Sequence, residues 1–499
     1  MKKKRKEMTV LIEQLDYPDR SVGVELLENE QDPIDSLLEL EEDYSSMPRG
    51  RKIVAKGGIP GQVWKAVRKR KRGDAVKVDL LELLKRSGLE MGSKCPEFRD
   101  CGGCCYQTLG YETELMIKGR QIQGLFKDAG IDIPISIKPA PNHVGYRNKM
   151  EYSFGDMERG GDLTLGLHCP GHFYDIIPTT NCNIVHEDFN RIRAAVQDFF
   201  RKKAIPYYHK STREGVLRHL VIRSTAMSGE LMVNLVTRDD PVMNLKLLNE
   251  FVDMLKGLET EKRLVSIIHT TNDSLSDAVI PDHVDLLWGR DHLEEILMGL
   301  SFHIGPFSFF QPNAIGAEKL YTKALDFAGD ISGKTVYDLY SGTGTLTQLM
   351  AKRAKKAVGV EIVTEAVDQA KKTAEINGLN NVEFVNADVL KFLEERARDE
   401  NPPELIMLDP PREGINPKAL EKIVQTGVEK IVYISCNPRS QVRDIGLFMD
   451  MGYKVVAGQA FDQFPRTKHV ETVALLSKLQ TEQHLNLEIG EDELSKIDF

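Results

Sequence analysis

Val336-Tyr337-Asp338-Leu339-Tyr340-Ser341-Gly342-Thr343-Gly344-Thr345 runs from an apolar stretch into a glycine-rich turn, and a helical pattern opens at Leu346. Glycines at such a turn let the backbone approach a ligand at the carboxyl end of a strand. Working outward, Ala357-Val358-Gly359-Val360 is a second apolar strand ending in Glu361, nineteen residues after Gly342. A carboxylate there can accept hydrogen bonds from both hydroxyls of a ribose. Asn386-Ala387-Asp388 ends a third strand and is placed to reach an adenine. Strand, turn and helix alternate from Thr335 to about Lys478, the pattern of a doubly wound, Rossmann-like α/β domain. Thr347 breaks the dinucleotide fingerprint G-x-G-x-x-G, so the nucleoside cofactor expected is S-adenosylmethionine rather than NAD.

Three further stretches sit around this domain's strand ends. Leu408-Asp409-Pro410-Pro411-Arg412-Glu413-Gly414 comes first, then Ser435-Cys436-Asn437-Pro438 after the strand Ile431–Ile434, then Lys468-His469-Val470-Glu471-Thr472. A thiol at a strand end with two carboxylates about one pocket suggests covalent catalysis on an electrophilic ring. A buried structural cysteine and an ordinary strand glutamate are the plainer alternatives. Methyltransferases acting on exocyclic nitrogens use a related (Asn/Asp)-Pro-Pro-aromatic motif. Here Arg412 stands at the aromatic position, and such enzymes need no cysteine.

Together with Phe309-Phe310-Gln311-Pro312-Asn313, these motifs resemble the RNA (uracil-5-)-methyltransferase family, and among its members the iron–sulfur-containing 23S ribosomal RNA type. The resemblance implies methyl transfer from S-adenosylmethionine to carbon 5 of a uridine. It implies Cys436 as nucleophile, Glu471 as the proton-abstracting base and Asp409 as a positioning carboxylate. It puts Gln311, Tyr340, Thr345, Glu361, Asp388 and Asp409 on the family's cofactor contacts. Thr345 and Asp388 stand where Asn is common. The thiol needs activation; Arg439 and nearby backbone amides are candidate contributors. A uridine inside folded RNA has to be unstacked or flipped to reach such a site.

Length and charge frame the rest. The chain has 499 residues, 41% apolar and 28% charged, with a net charge of −9, so two or three domains are expected. The charge is segregated: residues 25–43 hold nine acidic side chains and no basic one, whereas 49–72 hold ten basic side chains and no acidic one. A local basic patch, rather than the total, governs phosphate contacts; a solvated charge run is the alternative. The start Met1-Lys2-Lys3-Lys4-Arg5-Lys6 lacks a following apolar run, no stretch approaches the roughly 18 apolar residues of a membrane span, and a cytoplasmic protein is expected.

Short β segments at 8–24 and 51–90 suggest a small barrel, similar to the TRAM RNA-binding domain. The expected organisation is therefore a TRAM-like barrel over 1–93 with an acidic insertion at 25–48, and a central α+β domain over 94–304. A methyltransferase domain at 305–479 and an acidic tail at 480–499 complete it. The helical run 111–129 lies within the central segment in sequence, but the resemblance implies that it packs on the catalytic domain. Seven cysteines in a chain without secretory features point to metal or catalysis. Cys95-x5-Cys101-x2-Cys104 with the distant Cys182 can ligate an iron–sulfur cluster or zinc, and the radical pattern C-x3-C-x2-C does not match. The resemblance implies a four-iron four-sulfur cluster on these four, with Cys105 and Cys169 left over.

RNA is the partner expected, 23S ribosomal RNA before transfer RNA, because a barrel together with a cysteine cluster is more usual among the ribosomal members. No protein partner can be inferred. An iron–sulfur redox enzyme and a non-catalytic RNA-binding assembly factor are the rival readings.

Overall fold

The computed structural model describes residues 7–27, 48–72, 74–276, 279–396 and 402–479. Most of the acidic insertion and all of the acidic tail expected from the sequence lie outside the described residues. Strands Glu7–Asp16, Arg20–Leu26, Arg49–Lys56, Val63–Arg72 and Ala75–Lys85 close into a five-stranded barrel. Closure leaves no open edge. Val10, Ile12, Ile53, Ala66 and Val78 fill it.

A seven-stranded sheet follows, built around the paired strands Lys149–Gly155 and Leu217–Ser224. Its pairings are antiparallel except for Glu230–Thr237 against Arg263–Thr271. Helices Glu187–Lys202 and Leu245–Lys256 cover one face, burying Phe189, Val196, Phe200, Phe251 and Leu255 against Leu220, Ile222 and Val233. This sheet and its two helices lie within residues 149–289.

The third sheet has eight strands, ordered Val382–Asn386, Lys356–Glu361, Thr335–Leu339, Leu405–Leu408, Lys430–Ser435, Glu471–Lys478, Tyr453–Phe461 and Ile135–Lys138. The first five are parallel and Glu471–Lys478 is antiparallel to its neighbours. The last strand was not anticipated from the sequence: Ile135–Lys138 leaves the central segment and pairs in parallel with Gly458–Phe461 at the sheet edge. The helix Tyr111–Asp128 goes with it, burying Ile122 and Phe126 in the core of the eight-stranded sheet.

That attachment is anchored by a buried ion cluster. Lys118 Nζ lies 2.7 Å from both Glu114 Oε1 and Asp462 Oδ1, and all three side chains have 0% exposure. Burial alone would push the Lys118 ammonium down, but the Asp462 and Glu114 carboxylates outweigh it and hold its pKa above the ordinary value. Arg466 closes the cluster, donating to Glu114 and to the Leu109 carbonyl. Removing the cation strands two carboxylates in an apolar interior. Lys118→Ala is therefore expected to lower stability by about 3–5 kcal/mol, read as the midpoint of urea unfolding. An unchanged midpoint would mean that the cluster is not a structural anchor.

Candidate active site

The nucleoside-binding half is built from three parallel strand ends. Tyr340 ends the first in a left-handed conformation, φ 71°, held by Tyr340 N–H and Ser341 N–H donating to the Val360 carbonyl at 3.0 and 2.9 Å. A bulky residue in that region is strained, and the strain sets the turn that brings Gly342 to Glu361. The Glu361 carboxylate accepts from Gly342 N–H at 3.0 Å and from Ile362 and Val363 N–H at 2.9 Å each. Three backbone donors thus fix its orientation at the strand end. Asp338, buried two residues before Tyr340 on the same strand, accepts from Thr347 Oγ1 at 2.6 Å, and burial pushes its carboxyl up to about 6. The residue that breaks the dinucleotide fingerprint is thus a partner of a buried acid.

Thr345 opens the helix Thr345–Ala351 beside these groups. Asp388 does more than the sequence suggests. It caps the helix Val389–Glu395, Oδ1 accepting from Leu390 and Lys391 N–H at 3.0 and 3.3 Å, which leaves its other oxygen for a ligand. Gly344, with φ +76°, has no room for a side chain, since a Cβ would stand 2.5 Å from the Phe384 ring. Gly344→Ala is expected to destabilise the protein by about 1–3 kcal/mol, measured by calorimetric melting. A variant melting with the wild type would show that the ring simply moves aside.

The reacting half comes from strand register. Ser435 pairs with Thr472 across the antiparallel strands, so the next residues, Cys436 and Glu471, face each other just beyond the last pair. Asp409 follows the neighbouring strand Leu405–Leu408, whose Leu408 pairs with Tyr433. The three predicted reacting residues therefore converge. Their electrostatics are strongly coupled. Burial, opposed by Arg412, pushes Glu471 up to about 8. Burial, then Glu471 and Asp338, push Asp409 well above the carboxylate range. Burial, Glu471 and Asp409 push the Cys436 thiol up to about 11, against a hydrogen bond from Arg412.

The cation at the thiol is therefore Arg412, not Arg439. Arg439 donates instead to the Tyr17 carbonyl, with its guanidinium 6.0 Å from the Tyr17 ring centre. His469 is held neutral, pushed down to about 4 by burial and then by Arg412 and Lys468.

Three contacts were not foreseen. Tyr17, at the tip of the barrel's first hairpin, is buried in the catalytic core. Burial, Glu471 and the Cys436 thiol all raise its phenol. Asp19 on the same tip pairs with Lys468 at 3.0 Å. Tyr321 is buried beneath the site, hydrogen-bonded to Gln311 and close to Asp409. Gln311 is itself pinned, its carbonyl accepting from Asn148 Nδ2 at 3.0 Å.

Cys95, Cys101, Cys104 and Cys182 line one small cavity in the central segment, and Cys105 and Cys169 are not among its walls. Gly103 N–H and Gln107 Nε2 donate to Cys101 Sγ and Cys104 Sγ at 3.4 and 3.5 Å. Burial pushes Cys95 and Cys101 up to about 11 and Cys104 to about 12, and raises Cys182. Four such thiols resist ionisation unless a metal centre stabilises their thiolates. Among the described residues, the only three candidate ligands with donor atoms all within 4.8 Å of one another are His292, Glu294 and His303, and Arg290 already pairs with Glu294 there.

A family profile described as tRNA (uracil-5-)-methyltransferase matches residues 290–479. A protein of Caldanaerobacter subterraneus subsp. tengcongensis, described as an uncharacterized RNA methyltransferase, is 46% identical over 432 residues, 86% of this chain and 94% of the relative. The chain belongs to the RNA (uracil-5-)-methyltransferase family. A second family relative, an RNA methyltransferase of Clostridium tetani, is 44% identical over 87% of this chain and 94% of its own. The fold of this uracil-5 methyltransferase also matches the crystal structure of the Pyrococcus abyssi tRNA (uracil-54, C5)-methyltransferase in complex with S-adenosyl-L-homocysteine. The TM-score is 0.69 at 23% identity, covering 94% of this chain and 99% of the other. No helix among the described residues is long and apolar enough to cross a membrane.

Proposed function

We propose that this protein transfers a methyl group from S-adenosylmethionine to carbon 5 of a uridine in 23S ribosomal RNA. The observation that carries this reading is Cys436 opposite Glu471 at the end of one strand pair, with Asp409 and Arg412 beside them. Carbon 5 of uracil is too weak a nucleophile to displace a methyl group from a sulfonium unaided. Cys436 thiolate adds to carbon 6, giving an enolate with carbanion character at carbon 5. Carbon 5 takes the methyl group in line, and S-adenosylhomocysteine leaves. Glu471 then removes the carbon-5 proton, the bond from sulfur to carbon 6 breaks, and the ring double bond is restored. Arg412 and the amino end of the helix Pro438–Asp450 supply positive charge for the thiolate. Burial, then Glu471 and Asp338, raise the Asp409 carboxyl, which favours its protonated, hydrogen-bond-donating form.

Gln311, Tyr340, Thr345, Glu361 and Asp388 hold the cofactor in this reading, Glu361 through its fixed carboxylate at the ribose. The fit of Cys95, Cys101, Cys104 and Cys182 to a four-iron four-sulfur cluster rests on their shared cavity and their N–H···S donors. The cluster's part is structural, since no step transfers an electron. Iron and sulfide of about four each per chain in anaerobically purified protein, lost in Cys101→Ser, are the expected result; zinc alone would overturn it.

A barrel combined with a cysteine cluster favours ribosomal RNA. The Pyrococcus abyssi enzyme, which matches nearly end to end and is described as acting on tRNA, favours transfer RNA as the second reading. Labelled methyl transfer to unmodified 23S and transfer-RNA transcripts, read by nucleoside mass spectrometry, decides. 5-Methyluridine in 23S RNA is expected; its appearance only in transfer RNA would move the target. Its absence from both would defeat the reading.

A further inference from the structure

A cavity of about 350 Å³, the size of a small-ligand cleft, opens in the central segment and shares no lining residue with the cysteine cavity or the catalytic site. Its chemistry has two parts. The first is aromatic: Tyr207 and Tyr208 line it and Tyr174, 62% exposed, stands at its rim. Tyr208 carries the Arg218 guanidinium over its ring at 4.8 Å. The second is a polar floor. Ser153 Oγ lies 3.2 Å from His168 Nε2 and 3.3 Å from His219 Nδ1, and Lys210 and Arg159 bring positive charge to the walls. The Asp156 carboxylate, which accepts from Gly160 N–H and Tyr207, adds an acceptor. Flat rings beside imidazole and cationic donors suit a nucleobase and its phosphate.

The sheet connects this cavity to the catalytic site. Ser153 pairs with His219 at the cavity, and four residues along the same two strands Lys149 pairs with Arg223, a run of about 13 Å. Directly paired and alternate residues share a face, so Lys149, Arg223, Ser153 and His219 form one strip on the face turned away from the helices. At its far end Asn148 donates to the Gln311 carbonyl and Arg223 to the Ser308 carbonyl. Lys149 and Arg223 are like charges side by side, with the Glu151 carboxylate between the strip's ends. Arg223 is buried to 4% exposure with its Nε lacking a partner. Glu151 attracts both Lys149 and Arg223 and is the countercharge on this strip.

We propose that the cavity is a second nucleotide subsite, holding an unstacked nucleotide of the same RNA whose uridine enters the catalytic site. This rests on RNA being the substrate and adds a recognition point remote from the chemistry. Leu167 lines the cysteine cavity and the next residue, His168, lines this one, so a cluster on the cysteines would brace the strand that forms this subsite.

The test is binding of a mixed-sequence single-stranded RNA and of the 23S transcript to the full chain, by fluorescence anisotropy. Tyr174→Ala with Lys210→Glu should weaken RNA affinity by about tenfold or more, the worth of one stacked base and one phosphate contact. S-adenosylhomocysteine affinity and kcat at saturating RNA should stay at wild-type values. Tyr174→Phe keeps the ring and should bind as the wild type, which separates stacking from a folding defect. Photo-cross-linked RNA should map to peptides containing Tyr174 or residues 207–210. Wild-type RNA affinity in the double variant, with cross-links sparing these peptides, would overturn the subsite. So would saturation by free uridine monophosphate with RNA affinity unaffected by the variants, since that marks a small-molecule site. RNA binding lost in the double variant while no RNA is methylated would leave the subsite standing and defeat the catalytic reading alone.

Discussion

Cys436→Ala is expected to abolish methyl transfer, by at least about 10³-fold, the scale on which a covalent nucleophile matters, while leaving S-adenosylhomocysteine affinity within about twofold of the wild type by calorimetry. The two readouts separate because the residues proposed for the cofactor sit on other strand ends, Tyr340, Glu361 and Asp388. Cys436 stands past the end of Lys430–Ser435, on the side of Glu471. Alanine fits without strain and removes an un-ionised thiol, so thermal stability should hardly change. Retained turnover in the variant would refute covalent catalysis and return the cysteine to a structural part. Lost turnover together with lost cofactor affinity would mean that the thiol supports the pocket instead.

The grouping of the candidate site residues was largely legible because they end consecutive strands. A parallel sheet aligns strand ends by construction, so Glu361, Asp409 and Cys436 had to lie along one edge once the alternation was recognised. The four cysteines were also legible, since three lie within ten residues and share a loop. What escaped was set by contacts distant in sequence. Tyr17 reaches Cys436 only because the barrel's first hairpin docks on Arg439 and Lys468, more than four hundred residues away in the chain. Ile135–Lys138 is four residues long, too short for its pattern to choose between two sheets, and the choice falls to Ile122, Ile131 and Ile135 packing in the catalytic core. Arg412 was visible as part of a motif, but its bond to the thiol depends on how the loop after Pro411 folds back. The aromatic cavity joins 153–159, 168, 174–176 and 207–219, four segments with no common motif.

Glu471→Gln should give a different failure from Cys436→Ala. The amide fills the same space but cannot take the carbon-5 proton, so addition and methyl transfer proceed and elimination stalls. A covalent RNA–protein adduct is therefore expected on a denaturing gel, with turnover down by about 10²–10⁴-fold. Its formation should need both the cofactor and Cys436. The wild-type pH profile carries the same assignment. Burial raises Glu471 to about 8, so below that pH the carboxyl is protonated in the free enzyme and unable to act as a base. Turnover should then rise with pH by about tenfold per unit below 8 and level off above it, wherever proton removal limits the rate. Arg412 opposes the burial of Glu471, so Arg412→Ala should move that limb to higher pH and also slow adduct formation, because the same guanidinium bonds the Cys436 thiol. A Glu471→Gln enzyme that turns over normally, or a profile flat from pH 6 to 9, would transfer the base's role to another group, and Asp409 is the neighbouring carboxyl to test next.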